Sequence, residues 1–209
     1  ESAISTVGLT ESDDKTLFGE NNLRDHYEVD GILGSWGDAV CAFVPRNMME
    51  WNGENWEIVQ NGVYDKRTME LFDPYSAFHM PQDQPLCAEE PFIGQATLPV
   101  CSGFLVGPQM IATAAHCVQD PGSLGAFRIV FGFVQQSSTP GDFPKLYPGT
   151  HVYEAAEIKQ SVFDQENGFD YALIELDRPV EMPCVWPLPV RREGSVTTGM
   201  QEGTIGHPQ

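Results

Sequence analysis

Apolar runs in this chain are short and are interrupted throughout by turn formers: its 20 Gly and 16 Pro are spread along 209 positions rather than gathered in one tract. A long helix needs sustained 3.6-residue periodicity, whereas short strands joined by tight turns need this kind of punctuation. The expected fold class is therefore all-β. With 41% apolar residues, including 12 Phe and 4 Trp, the chain has enough material for a packed core. No stretch approaches the roughly 20 consecutive apolar residues of a membrane-spanning helix. The chain opens on Glu1-Ser2-Ala3-Ile4, without the basic and apolar regions of a secretory signal. Any such signal is expected to have been removed or never to have been part of this sequence.

Acidic residues number 30 against 11 basic ones, for a formal charge of −19. That balance repels polyanions, so neither nucleic acid nor a membrane surface is expected as a partner. No block of five or six like charges occurs, and the densest early cluster (Glu11, Asp13, Asp14) reads as a solvated segment that aids solubility. The cysteines Cys41, Cys87, Cys101, Cys117 and Cys184 are too far apart for a C-x-x-C motif. Oxidised pairs in a secreted protein, extracellular or periplasmic, are the better reading. Their odd number leaves either a free thiol or a partner outside this chain.

Residues 1 to about 35 are polar and acidic without periodicity and read as a loosely ordered arm. Residues 38–44 read as a buried strand, and residues 47–59 as a hairpin whose Asn52-Gly53 supplies positive φ angles. Asn61-Gly62 marks another turn. Residues 72–91, rich in Pro, Asp and Gln, read as a connecting segment. Strand candidates then follow quickly at residues 101–106, 110–113, 127–134, 151–158 and 171–176, separated by runs such as Asp120-Pro121-Gly122. Such spacing suits a small barrel or sandwich.

The most informative stretch is C-S-G-F-L-V-G-P-Q-M-I-A-T-A-A-H-C-V at residues 101–118, two strands joined by Gly107-Pro108 and followed by a tight turn that holds His116. Its C-S-G-F-L-V followed by T-A-A-H-C resembles the histidine motif of the trypsin-like serine proteases. Downstream, F-D-Y-A-L-I-E-L is similar to the aspartate motif of that family and gives Asp170 as its aspartate. The resemblance implies that His116 is a general base and that Asp170, at the edge of a low-dielectric core, orients it and stabilises the imidazolium. It also implies a Cys101–Cys117 disulfide that pins the turn to the neighbouring strand, worth about 3 kcal/mol by loop closure. Asp164, in a polar loop, and Asp177, beside Arg178, read as structural or solvated.

A triad also needs a serine on a G-x-S-G turn, whose amides form the oxyanion hole. These residues contain no such motif. Ser102 belongs to a strand, and Ser195 lacks the second glycine; neither is taken as the nucleophile. Cys117 is expected in the disulfide, and no zinc-ligand spacing links His116, His151 and His207. Residues 205–208, I-G-H-P, resemble the start of the second barrel in bacterial relatives of the glutamyl endopeptidases, which makes His207 a strand-turn residue. Residues 18–29 and 86–95 are similar to secreted bacterial members that carry an N-terminal extension. Phe92-Ile93-Gly94 is the nearest candidate for a freed N-terminus, but no Arg or Lys precedes it.

The resemblance implies an all-β, trypsin-like antiparallel β-barrel of six strands, the first of a two-barrel protease whose second barrel is largely missing. The expected division is an N-terminal extension or propeptide-like region at 1–90, the first barrel at 91–190 and the start of a truncated second barrel at 191–209. The implied activity is serine endopeptidase chemistry on a protein or peptide substrate, with the missing barrel as partner and with neither a metal nor an organic cofactor. These residues alone are expected to be inactive. The alternative is a non-catalytic protease homologue acting as a protein-binding module.

Overall fold

The computed structural model describes residues 23–59, 98–118, 121–139, 142–200 and 203–207. Cys87, Asn61-Gly62, residues 72–91 and Phe92-Ile93-Gly94 lie outside the described residues. The described chain forms one helix, α1 (Gly31–Asp38), and ten strands. In chain order these are β1 (Val40–Pro45), β2 (Met49–Trp51), β3 (Asn55–Ile58), β4 (Cys101–Gly107), β5 (Met110–Thr113), β6 (Phe127–Phe131), β7 (Leu146–Pro148), β8 (Val152–Tyr153), β9 (Ala155–Asp164) and β10 (Phe169–Leu176). A curled seven-stranded sheet runs β8-β6-β1-β4-β5-β10-β9, and a small sheet runs β2-β3-β7. Every pairing is antiparallel. The fold is the trypsin-like β-barrel architecture expected from the sequence, with one helix added.

β1 is buried along its whole length because it separates two cores. Cys41 and Phe43 join a cluster with Leu105, Ile111, Phe131 and Ile174, while Ala42 and Val44 join a second with Met48, Val130, Phe133 and Tyr147. A strand buried on both faces reads as a continuous apolar run, and V-C-A-F-V is one. Its neighbour β4 places Gly103 opposite Cys41. A Cβ on Gly103 would stand 3.0 Å from the Phe43 ring and 3.1 Å from Cys41 Sγ, so glycine is what lets the phenylalanine lie flat against β4. Burying a side chain such as Phe43 contributes roughly 2–3 kcal/mol.

The boundary expected at residue 90 does not divide this sheet. β1 pairs with β4 and with β6, and β3 pairs with β7, so strands from the first 60 residues supply central ladders of the barrel. The six strands expected become seven for the same reason: hydrogen-bonding capacity on both edges of β1 is filled by later strands. α1 likewise corrects the loose arm over residues 31–35; residues 1–22 of that arm lie outside the described residues. The helix buries its small face, Gly34 and Gly37, and leaves Ile32, Leu33 and Trp36 exposed, an inversion of the usual pattern that conceals it from a periodicity search. Gly37 packs against His26, whose Nε2 is 3.0 Å from Asp38 Oδ1.

Smaller differences have local causes. In the β2–β3 hairpin Gly53 takes a positive φ but Asn52 does not; Asn52 Oδ1 instead accepts N–H bonds from Glu54 (3.1 Å) and Asn55 (2.9 Å). The single strand expected at 151–158 starts only after a 3₁₀ turn, Gly149–His151, and is interrupted at Glu154, giving β8 and β9. Asp177 Oδ1 accepts the Glu154 N–H at the break between them.

Residues 203–207 return to the sheet through His207. Its ring lies edge-on to Phe133, Nε2–H donates to the Phe133 carbonyl (2.9 Å), and Nδ1 accepts from Ser102 Oγ at 3.3 Å. Ser102 Oγ in turn accepts the His207 backbone N–H at 2.7 Å. This network is satisfied by a neutral imidazole, and burial lowers the His207 pKa, opposed only by the Phe133 carbonyl.

Replacing Phe43 with Ala should destabilise the protein by about 3–5 kcal/mol, and Glu50→Ala, on the exposed strand β2, by no more than about 0.5 kcal/mol; chemical denaturation compares the two. The His207 clamp has a pH signature. Its folded-state pKa lies below the ordinary 6.5, so the unfolded chain takes the proton first and stability falls as pH drops from about 6.5 through the folded value. Thermal unfolding between pH 7.5 and 5 should show a decline that is smaller in His207→Ala; equal slopes would remove this group from the account.

Candidate active site

β5 is the positioning element, because it pairs with β4 on one side and β10 on the other. Thr113 at its end is opposite Gly103 and opposite Ala172, and its hydroxyl donates to the Ser102 carbonyl at 2.8 Å. Beyond Thr113 the chain turns tightly through the 3₁₀ segment Ala115–Val118, which buries Ala115 and Val118 and turns His116 outward. Cys117 in this turn is disulfide-bonded to Cys101 at the start of β4, with the two Cα atoms 6.3 Å apart. The small side chain at Ala115 lets the turn sit close on the barrel.

The same ladder carries Asp170 to the turn, two residues before Ala172 on β10. Asp170 Oδ2 accepts the His116 Nδ1–H at 2.6 Å, and Oδ1 accepts the His116 backbone N–H at 3.0 Å. Two hydrogen bonds, one to the ring and one to the main chain, fix the imidazole in position and tautomer, leaving Nε2 as the basic nitrogen. Nε2 has no hydrogen-bond partner among the described residues. The bond from the His116 ring is the main cause of a lowered Asp170 pKa, with backbone N–H donors and the His116 charge adding to it.

In these 209 residues the Asp170 side chain is 36% exposed and that of His116 54%, with Asp170 two residues before the fully buried Ala172 on the same strand. Hydrogen bonds favour the charged form of the carboxylate and outweigh the opposing effect of partial burial.

The other residues singled out in the sequence have different occupations. Asp164 Oδ1 accepts the N–H groups of Glu166 and Asn167 in its own turn, and Asp177 pairs with Arg178 at 2.7 Å. Ser102 is committed to His207, and the Ser195 carbonyl accepts from Arg191 on an exposed loop. His151 is half-buried, and burial lowers its pKa. Among the described residues, the grouping that could hold a metal is Cys101, His116 and Cys117. Its sulfurs are spent on each other, leaving a single imidazole.

Sequence reading missed two features of the site. The His116 backbone amide is a second donor to Asp170, and Phe163 on β9 lies directly opposite Asp170 and is 47% exposed. The first is a main-chain property without a residue signature, and the second depends on a β9–β10 register that no local motif encodes.

A histidine–aspartate pair at the rim of a curled antiparallel sheet, held by a disulfide to one of its strands, defines a chymotrypsin-type fold. The trypsin family model matches residues 86–208, more than half of the chain, and the protein belongs to the trypsin family. It is similar to coagulation factor XI of Bos taurus, 30% identical over 100 residues that make up 46% of this chain and 15% of that protein. It is also similar to serine proteinase stubble of Drosophila melanogaster, 30% identical over 116 residues, 55% of this chain and 14% of that protein. The chain thus spans about one-seventh of the length of these relatives. Both are animal proteins and give no support to the narrower bacterial branch.

The Asp170 carboxyl should titrate below the ordinary carboxylate range in carbon-13 NMR and move up in His116→Ala, which removes its largest stabilising partner. An unchanged titration in the variant would show that the ring bond does not hold the carboxylate ionised.

Proposed function

We propose that these residues form the base-bearing part of a serine-type endopeptidase. The single observation that carries this reading is the Asp170–His116 arrangement, with Nδ1–H donating to the carboxylate at 2.6 Å. A base so oriented can take the proton of a serine hydroxyl through Nε2 as the oxygen attacks a peptide carbonyl. Asp170 stabilises the imidazolium that forms. His116 then returns the proton to the leaving amine, and the acyl-enzyme is hydrolysed by a water from which His116 takes a proton.

The nucleophile and the oxyanion hole are assigned to a segment outside these 209 residues, in a second barrel for which residues 191–209 would be the beginning. With both missing, these residues alone are inactive. The substrate is a protein or peptide. A secreted location fits the Cys101–Cys117 disulfide, and among the described residues no helix is long and apolar enough to cross a membrane. Residues 23–59 act as part of the barrel rather than as a removable pro-segment, since β1 is hydrogen-bonded on both edges.

Fluorophosphonate labelling of the naturally produced protein tests the proposal, followed by intact mass under reducing and non-reducing conditions. The expected result is label on a polypeptide that contains these residues together with a reactive serine, or on a piece disulfide-linked to them. An unlabelled natural product of 209 residues would sink the hydrolase reading and leave a protein-binding homologue in its place.

A further inference from the structure

We propose that the Arg192–Glu193 peptide bond is a proteolytic processing site, presented to an arginine-directed endopeptidase by a loop that is shaped around it. Residues 191–200 are all exposed, and none lies in a strand or helix. The chain is anchored on either side of them. Upstream, the Leu188 N–H donates to the Leu105 carbonyl at 2.8 Å. Downstream, His207 is clamped to Ser102 and Phe133.

Between the anchors, Arg191 shapes the loop. Its Nε–H donates to the Glu193 carbonyl at 3.1 Å and its Nη2–H to the Ser195 carbonyl at 3.0 Å, and Nη1 approaches Met200 Sδ at 3.9 Å. Gly194 has φ +77°, where a side chain is strained, and a Cβ there would crowd Arg191 Nη2 at 3.1 Å. The Met200 N–H bonds back to the Thr197 carbonyl at 3.2 Å and completes the bend. Arg192, the next residue, has no hydrogen bond or ion pair among the described residues. Of two adjacent arginines, one is built into the loop and the other is left for an external acidic pocket.

Three basic side chains within the barrel are differently placed, whereas Arg24 is exposed outside any strand or helix, ahead of the sheet. Arg46 donates to the Gly125 carbonyl and pairs with Glu154. Arg128 is buried on β6 under Trp56. Lys159, on β9, bridges Glu157 and Glu175. An endopeptidase binds its substrate as an extended, accessible segment, so cutting after Arg128 or Lys159 requires a strand to leave its ladder first. An exposed loop tip requires no such opening. At the Arg192–Glu193 bond water adds to the Arg192 carbonyl carbon and the C–N bond breaks. The new carboxyl stays on Arg192, and the proton completes the amino group of Glu193. The barrel with His116 and Asp170 is thereby cut free of the residues that follow, whose described hold on the sheet is the His207 clamp.

The test uses the 209-residue chain with trypsin as the probe at a limiting dose, followed by intact mass over time. Scission after Arg192 should proceed at least about tenfold faster than after Arg46, Arg128 or Lys159. Arg192→Gln should slow cleavage at this bond at least about tenfold, whereas Arg191→Gln should leave it within about threefold. Circular dichroism of both variants should match the parent. Equal rates at the four positions would overturn the proposal, as would scission that begins after Arg191, or an Arg191→Gln variant as resistant as Arg192→Gln.

Discussion

The two-sided burial of β1 is the constraint on which the rest of the structure depends. Alternate side chains of four consecutive residues, Cys41 to Val44, must satisfy two separate cores, and both backbone edges must find partners because neither can reach water. Those requirements place β4 on one edge and β6 on the other. Once β4 is fixed, β5 and then β10 follow by antiparallel pairing. The ends of those two strands are where His116 and Asp170 meet, so the geometry of an exposed pair traces back to a strand that contributes no atom to it.

The pair itself has little of the protection usually associated with a buried ion pair. Solvent screens it, and its strength comes from geometry: two donors on one carboxylate, one from the ring and one from the main chain of the same residue. Such an arrangement tolerates exposure only if the backbone of the turn is held still. The Cys101–Cys117 disulfide and the buried Ala115 and Val118 do that. Positional rigidity of the turn keeps one tautomer of His116.

Legibility in the sequence follows how local each feature is. Cys101, His116 and Cys117 fall within one hairpin and its following turn, and the apolar run after Asp170 marks β10, so this part of the site could be read along the chain. The place of β1 could not, because a strand buried on both faces has no alternation and resembles any short apolar segment. α1 stayed hidden because three glycines and an outward apolar face defeat both propensity and periodicity.

The central position of β1 also bears on how the chain reaches this fold. Its partners begin roughly sixty residues later in β4 and roughly ninety later in β6, a separation that makes closure of the sheet slow compared with hairpins such as β2–β3. During synthesis from the N-terminus, Val40 to Val44 therefore emerge with two apolar faces and two open edges well before anything can cover them. The segment that organises the finished barrel is the one left longest without neighbours, and protection of that strand sets how efficiently the protein can be made.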